Sequence, residues 1–389
     1  MSAAASDAAT AGGITASGPV SEEPGGGIAA GSERAARKDD HVRLARAQRS
    51  DAPGGNEFDD VEFVHHALGG VDASRVDLST RVGDWRWATP FYANGMTGGT
   101  EWTTRINREL AIAARETGMP MACGSVSVAL DDAEAASGFA VIREENPSGF
   151  VMANLGVGRG ADDAVRAVEL LRADALQLHL NAVQETAMPE GTRDFSSWER
   201  SVESIVAASP VPVIVKEVGF GLSRRTLERL AGLGVGIADV SGAGGTDFLR
   251  IENARHDAES RGSGGDFSML SGFGQSAMAC LLDAPADGPT LLASGGVRNP
   301  FDAVKALAAG ASAVGVAGTF LEAVLDGGAE ALVPLIERWI AQTTAILALL
   351  GAETPADLAS TDLIVRGRLA EFCRLRGVDL AALAARSRT

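Results

Sequence analysis

ALQLHLN (175–181), VPVIVKEVG (211–219), GIADVSG (236–242), TLLASGG (290–296) and AVGVAG (313–318) share one pattern: a short run of Val, Ile, Leu and Ala ending in polar or glycine-rich residues. Runs apolar on both faces belong to strands covered on both sides, as in a parallel sheet. Three more lie upstream, TPFYANGM (89–96), PMACGSVS (120–127) and GFVMANLG (149–156). Between them stand amphipathic stretches such as EWTTRINRELAIAARETG, ADDAVRAVELLRA and PFDAVKALAAG, several opened by Asp, Ser or Pro and closed by Gly, as helix ends require. Eight strand–helix units in series predict an α/β chain folded as a single (β/α)8 TIM barrel. A doubly wound sheet, the competing architecture, would usually show a GxGxxG turn after its first strand, and none is present.

Outside the barrel the composition changes. Residues 1–33 are Ala, Gly, Ser and Thr with almost no large apolar side chains. Such a stretch buries too little surface to offset its ordering entropy and is expected to be a disordered tail. A basic segment, ERAARKDDHVRLARAQR, is then separated from the main body by a Gly/Pro/Asn-rich break, SDAPGGNEFDD (50–60). The 389 residues carry 51 Asp+Glu against 34 Lys+Arg, a net charge of −17. That balance speaks against nucleic acid or an anionic membrane as partner, since both need a basic footprint. Any anionic ligand must be met by a local cluster of positive groups. The three cysteines, Cys123, Cys280 and Cys373, offer neither a disulfide framework nor paired metal-ligand spacing, which fits a reducing cytoplasm. No stretch approaches the roughly 18–20 uninterrupted apolar residues of a membrane span, and the N-terminus lacks a signal-peptide pattern.

In a barrel of this kind chemistry sits where strands run into the following loops. All eight such ends are polar or glycine-rich: Met96-Thr97-Gly98-Gly99, Gly124-Ser125, Asn154, His179-x-Asn181-x-x-Gln184-Glu185, Lys216-Glu217, Ser241 with Gly244-Gly245-Thr246, Gly295-Gly296-x-Arg298, and Ala317-Gly318. The whole mouth is therefore expected to be lined for a large ligand. SGGVRNP and GVAG, each leading into a helix, are free backbone N–H groups for a phosphate, or else plain tight turns. Lys216 is the one lysine inside an apolar strand run and points into the mouth, unless it snorkels to water. Glu185 alone is a poor metal site; with phosphate oxygens and waters it suffices for Mg²⁺, and its plain reading is a hydrogen-bonded loop residue. Arg34, Arg37, Lys38, His41, Arg43 and Arg46 read as a solvated helix face or as a reservoir of charge for a second anion. His65, His66 and Cys123 lack metal-ligand spacing and are expected to pack or hydrogen-bond, and the scattered Trp85, Trp87, Trp102, Trp198 and Trp339 to be core.

RKDDHVRLA (37–45), FDDVEFVHHAL, MTGG, ANLG, LQLHLNAVQET, PVIVKEVGFGLS, ADVSGAGGTDF, LASGGVRNP and TPADL, in this order, resemble the flavin-dependent, type 2 isopentenyl-diphosphate isomerase family. The resemblance runs over everything after the tail. It implies non-covalent FMN, Mg²⁺ and interconversion of isopentenyl and dimethylallyl diphosphate. It implies that Gly95, Met96, Thr97, Ser125, Asn154, Lys216, Ser241 and Thr246 hold the flavin and ribityl chain, and that Gly295, Gly296, Arg298, Ala317 and Gly318 hold its phosphate. Arg37, Lys38 and His41, on a substrate-covering segment (34–87) ahead of the barrel (88–389), would grip the diphosphate with His179 and Asn181. Gln184 would contact substrate, Glu185 would bind Mg²⁺, and Gln184, Lys216 and His179 would form the catalytic group. Members commonly carry a GSQ-type run after strand two; Gly124-Ser125-Val126-Ser127 departs from it, so Val126 is given no role.

The reaction gains and loses no electrons overall, so FMN is expected to be reduced first by NADPH and to relay protons, with Lys216 or a neighbour stabilising charge on the ring. A homotetramer or homo-octamer in the cytoplasm is the family expectation. Other FMN barrels fit less well: an α-hydroxy-acid oxidase needs a catalytic His where SGAGGTDF has none, and an IMP-dehydrogenase-like protein needs a nucleophilic Cys in its own loop. A non-catalytic flavin-binding barrel would have lost the diphosphate grip or the metal ligand, yet Arg37, Lys38, Gln184 and Glu185 are all present.

Overall fold

The computed structural model describes residues 26–50, 55–259 and 266–388. Residues 1–25 of the expected tail and 51–54 of the expected break lie outside them, while 26–33, also assigned to the tail, are helical. The chain runs through α1 (Gly26–Ser50), β1 (Val61–Phe63), β2 (Thr80–Val82), β3 (Trp85–Trp87), β4 (Phe91–Ala93), α2 (Glu101–Thr117), β5 (Met121–Ala122), α3 (Ser127–Asp131) and α4 (Ala133–Glu145). It continues through β6 (Val151–Gly156), α5 (Ala161–Leu171), β7 (Ala175–His179), α6 (Ala182–Ala187), α7 (Trp198–Ala208), β8 (Val213–Lys216), α8 (Arg224–Gly232), β9 (Ile237–Asp239) and α9 (Phe248–Glu259). The last part holds α10 (Ala277–Leu282), β10 (Thr290–Ser294), α11 (Pro300–Ala308), β11 (Ala313–Val316), α12 (Gly318–Leu350), β12 (Leu363–Val365), α13 (Gly367–Leu375) and α14 (Leu380–Leu383).

Strands β4 to β11 close into a parallel barrel, with Val314 beside Phe91 at the seam. Each of the eight lies inside one of the eight apolar runs. The register sets His179 beside Lys216 and Lys216 beside Asp239, so three polar strand ends share one level. The opposite end of the barrel is closed by side chains. Tyr92, Ala122, Met152, Ala175, Ile214, Ile237, Leu292 and Ala313, one from each strand, cluster with Val82 and Trp87 of the β2–β3 hairpin. Trp87 stacks edge-on against Tyr92 with ring centres 5.7 Å apart, and Trp87→Ala would cost about 3–5 kcal/mol of burial and cavity energy. Tyr92 fits because β11 offers Gly315, where a Cβ would lie 2.6 Å from the phenol oxygen. The segment expected to cover substrate (34–87) is thus divided: α1 lies at the mouth, the hairpin plugs the far end.

Helix ends follow their side chains. Thr100 and Thr103 form a capping box at α2, which ends on left-handed Gly118. Asn299 caps α11 ahead of Pro300. By length and composition α12 could cross a membrane, a property the sequence reading did not assign. It is the helix after the eighth strand, bent at Gly327 and Gly328, and its Trp339 packs on Phe91 of β4 and on Phe320 of its own first turn. Trp87 and Trp339 are buried, Trp85, Trp102 and Trp198 partly so. All three cysteines are buried and free.

Candidate active site

The basic segment reaches the mouth as α1, whose docking side chains contact four barrel helices or the loops beside them. Asp39 accepts from Thr100 Oγ1 at 2.7 Å, and Arg37 pairs with Glu190 beyond α6. His41 Nε2 meets Glu252 of α9 at 3.0 Å, and Gln48 exchanges two hydrogen bonds with the Asp247 backbone. Arg46 pairs with Asp326 and Arg49 with Glu322, both on α12.

Glu252 organises the side of the mouth nearest α1. Its side chain is 0% exposed, and its carboxylate accepts from His41, from Gln184 Nε2 at 2.9 Å and from Arg255. Burial alone would raise this carboxyl, but the bonds from His41 and Gln184 and the charge of Arg255 hold it at about 2. Burial keeps His41 below its usual range, so the imidazole stays neutral and donates from Nε2. Nothing in the sequence singled out Glu252. Its only signal is a carboxylate on the apolar side of the helix after SGAGGTDF.

The strand ends carry the rest. Asn154 commits its Nδ2 to Gln177 at 3.1 Å, so its Oδ1 accepts, and His179 donates from Nδ1 at 2.8 Å. Burial, then the charges of Lys216 and Lys38, push His179 down to about 3. It is therefore neutral, with an unshared pair on Nε2. Asn181 donates to Glu185 Oε1 at 3.0 Å and reaches Gln184 Oε1 at 3.4 Å, while Glu185 Oε2 accepts the Thr192 N–H. Among the described residues no three His, Cys, Asp or Glu side chains gather as metal ligands. A Mg²⁺ at Glu185 would take its other oxygens from substrate and water, which this hard cation accepts.

Lys216, 4% exposed, donates to the Glu217 carbonyl at 2.7 Å and to Ser241 Oγ at 3.3 Å. Burial lowers its pKa, opposed by Asp239 and Glu217. Asp239 sits below, accepting from Tyr92 at 2.7 Å, from Ser294 and from the Ser241 N–H. Lys38 is brought to about 8 by burial and then by Arg37. So the mouth holds three cation-capable groups, Arg37, Lys38 and Lys216, beside neutral imidazoles. An anion entering here is met by charge.

Two features fit a flavin. Thr97 is 1% exposed and its Oγ1 has no partner, and Arg37 Nε is likewise buried and unpartnered. The second is a backbone cradle. At Gly295, φ +95°, a Cβ would lie 1.9 Å from the Gly242 carbonyl oxygen, and at Gly245 2.8 Å from the Gly296 nitrogen. Bare backbone thus lines one edge of the mouth. Gly95 and Gly124 allow a similar approach of the Cys123 and Thr97 carbonyls. Met96, Ser125 and Thr246 are half-buried around the rim; Ser125 Oγ contacts Ser127 Oγ at 3.1 Å.

Arg298 reaches the cradle, but four of its five N–H donors go to carboxylates, two to Asp59 and two to Asp302. Asn56, in the expected break, donates to the Gly296 carbonyl at 2.7 Å and so belongs to the cradle. Ala317 and Gly318 begin α12, whose first turn has no side-chain cap.

A family model described as FMN-dependent dehydrogenase matches residues 170–365. A curated isopentenyl-diphosphate delta-isomerase of Nocardia farcinica is 56% identical over 352 residues, covering 90% of this chain and 96% of the relative. The enzyme of that name from Kitasatospora griseola is 54% identical, covering 91% and 95%. That of Staphylococcus haemolyticus is 44% identical, covering 90% and 98%. Among solved structures, a flavocytochrome b2 with bound sulfite superposes with a TM-score of 0.60 at 20% identity, covering 92% of this chain and 93% of the other. A mandelate oxidase with (S)-mandelic acid gives 0.56 at 18%, covering 87% and 98%. Likeness at that level reports the barrel alone.

Proposed function

The chain belongs to the isopentenyl-diphosphate delta-isomerase family, and from that premise we propose that it interconverts isopentenyl and dimethylallyl diphosphate with reduced FMN and Mg²⁺. What carries the reading is the buried link from His41 through Glu252 to Gln184, which joins the basic helix to the strand-end polar group. Reduced FMN, when bound, supplies a ring that exchanges protons with an alkene. Thr97, Asn154, Lys216, Ser241 and Thr246 would hold it, with the glycine cradle at its phosphate.

The chain's own part is binding and orientation. Arg37, Lys38 and His41 would hold the diphosphate, and Glu185 would hold the cation that neutralises it, fixing the substrate's position in the mouth. His179, neutral, offers Nε2 as an acceptor and repels no cation. Gln184 is held by Glu252, which directs its amide at one fixed point. Lys216, buried at the strand end, would supply the positive charge that the cofactor's chemistry calls for there. Overall one proton enters at the terminal alkene carbon and another leaves the carbon adjacent to the one that bears the diphosphate, so no electrons are consumed. NADPH as the source of reduced flavin, a cytoplasmic homotetramer or homo-octamer, and the absence of nucleic acid and membrane partners belong to the same proposal.

Anaerobic protein, reduced and loaded with Mg²⁺, is incubated with isopentenyl diphosphate and the mixture analysed for the dimethylallyl isomer. Product is expected only with reduced flavin present. Turnover by the oxidised enzyme, or none by the reduced one, would reject the proposal.

A further inference from the structure

Asp239, at the end of β9, is a carboxylate met by neutral donors. It is 0% exposed, and four groups converge on it: Tyr92 Oη at 2.7 Å, Ser294 Oγ at 2.9 Å from both oxygens, the Ser241 N–H at 3.1 Å and Asn94 Nδ2 at 3.5 Å. None of these partners is a cation. A buried charge without a contact ion is costly, so its retention asks for a second group that it serves. The register supplies one, since Asp239 stands beside Lys216 of β8. Around Lys216 lie Glu217 on its own strand end and His179, neutral, on β7; of the two carboxylates Asp239 acts on it more strongly. The link between them is Ser241. Its φ of +40° is left-handed, a conformation uncommon for a residue other than glycine and kept only where the surroundings impose it. Asp239 Oδ1 holds its N–H, and its Oγ accepts from Lys216 Nζ at 3.3 Å. With the Glu217 carbonyl at 2.7 Å, that occupies two of the three ammonium donors and leaves one for a ligand in the mouth.

We propose that Asp239 is a positioning residue for Lys216: it holds Ser241 in the left-handed turn that fixes the ammonium, and as a buried counter-ion it keeps that group charged. The inference rests on the FMN reading and adds to it the residue that maintains the positive charge offered to the cofactor. Burial lowers the proton affinity of Lys216, and Asp239 opposes it. Without Asp239 the lysine gives up its proton at lower pH, and a bound flavin loses the charge that favours its reduced form.

The test is the midpoint potential of bound FMN in the full-length holoenzyme, measured against redox dyes at pH 6 and pH 9 for wild type, Asp239→Asn and Ser241→Gly. Asp239→Asn removes a negative charge, which by itself raises the potential. Loss of the Lys216 proton lowers it by more, because the ammonium carries the uncommitted donor. At pH 9 the variant is therefore expected about 30 mV or more below wild type, a tenfold relative loss of the reduced form. At pH 6, with the proton back, it should stand level with wild type or above it. Glu217, at about 7, and Lys38, at about 8, titrate in both proteins and leave the comparison intact. Ser241→Gly tolerates the left-handed φ, lacks Oγ and keeps the buried carboxylate, so it reports on the link independently. It should show the same pattern at smaller size. A difference from wild type that does not turn more negative between pH 6 and pH 9 in either variant would overturn the inference. Wild-type protein that takes up no FMN would overturn the cofactor reading and the inference with it.

Discussion

Replacing Glu252 by Gln exchanges one oxygen for an NH₂ group and removes one buried charge. Oε1 accepts from His41 at 3.0 Å and from Gln184 at 2.9 Å, while Oε2 faces Arg255. An amide oxygen can face only one of these two sides. Turned toward His41 and Gln184, it keeps both bonds without their charge, a loss of about 1 kcal/mol each, and points its NH₂ at a guanidinium. Turned the other way, the NH₂ opposes two donors, and a tautomer change at His41 recovers only one of them. Either way the cost is about 2–3 kcal/mol, or roughly 30- to 150-fold in an equilibrium. The cost falls on the docking of α1 and the aim of Gln184, because the barrel core makes no use of this carboxylate. Steady-state rates should therefore show KM for isopentenyl diphosphate raised about 10- to 100-fold, with the urea-unfolding free energy unchanged to within about 0.5 kcal/mol. An unchanged KM together with a loss of about 2–3 kcal/mol of unfolding free energy would mark Glu252 as a strut of the fold and refute this reasoning.

Lys38, at about 8, must be protonated to grip a diphosphate, so kcat/KM should fall as pH rises through about 8; Lys38→Arg should carry the plateau to higher pH, and superimposable profiles would exclude Lys38 from the grip. Burial raises Glu217 to about 7, against backbone N–H groups of Phe220, Val218 and Gly221. The folded chain then holds this proton more tightly than the unfolded one, so its contribution is full below about pH 4.5 and is lost as pH rises to about 7, up to about 3 kcal/mol. Urea unfolding at pH 5 and 8 should show that loss reduced in Glu217→Gln; an equal loss in both proteins refutes it. Gly295→Ala places a Cβ 1.9 Å from the Gly242 oxygen at φ +95°, a strained backbone costing roughly 1–3 kcal/mol before the overlap is relieved. The purified variant should carry less than a tenth of the wild-type flavin; full occupancy would show that the cradle does not meet the cofactor.

The barrel was legible because each strand, buried on both sides, leaves an unbroken apolar run and each helix its caps. TLLASGG and AVGVAG became β10 and β11 with little left to decide, and Asn299-Pro300 opened α11 as written. The hairpin β2–β3 escaped notice because TRVGDWRW is too short to show a period, and its role depends on eight side chains from elsewhere. Single strand-end residues could be placed; pairings could not. Half of Arg298's carboxylate contacts were out of view because Asp59 lies 239 residues away. Asn56 was hidden in a segment whose composition says only that it turns, and Glu252 in a helix whose register over the mouth only the fold supplies. Distance in sequence, rather than weakness of the contact, concealed all three.

The hairpin that seals the far end has a kinetic consequence. A barrel blocked by Val82 and Trp87 is a blind well, and everything that enters or leaves it passes one opening. Two ligands that share such an opening cannot exchange independently. The deeper one must arrive first and stay through many turnovers, and the outer one alone comes and goes with each cycle. Residence time is thereby assigned by depth: a ligand nearer the sealed end leaves only after the one nearer the opening.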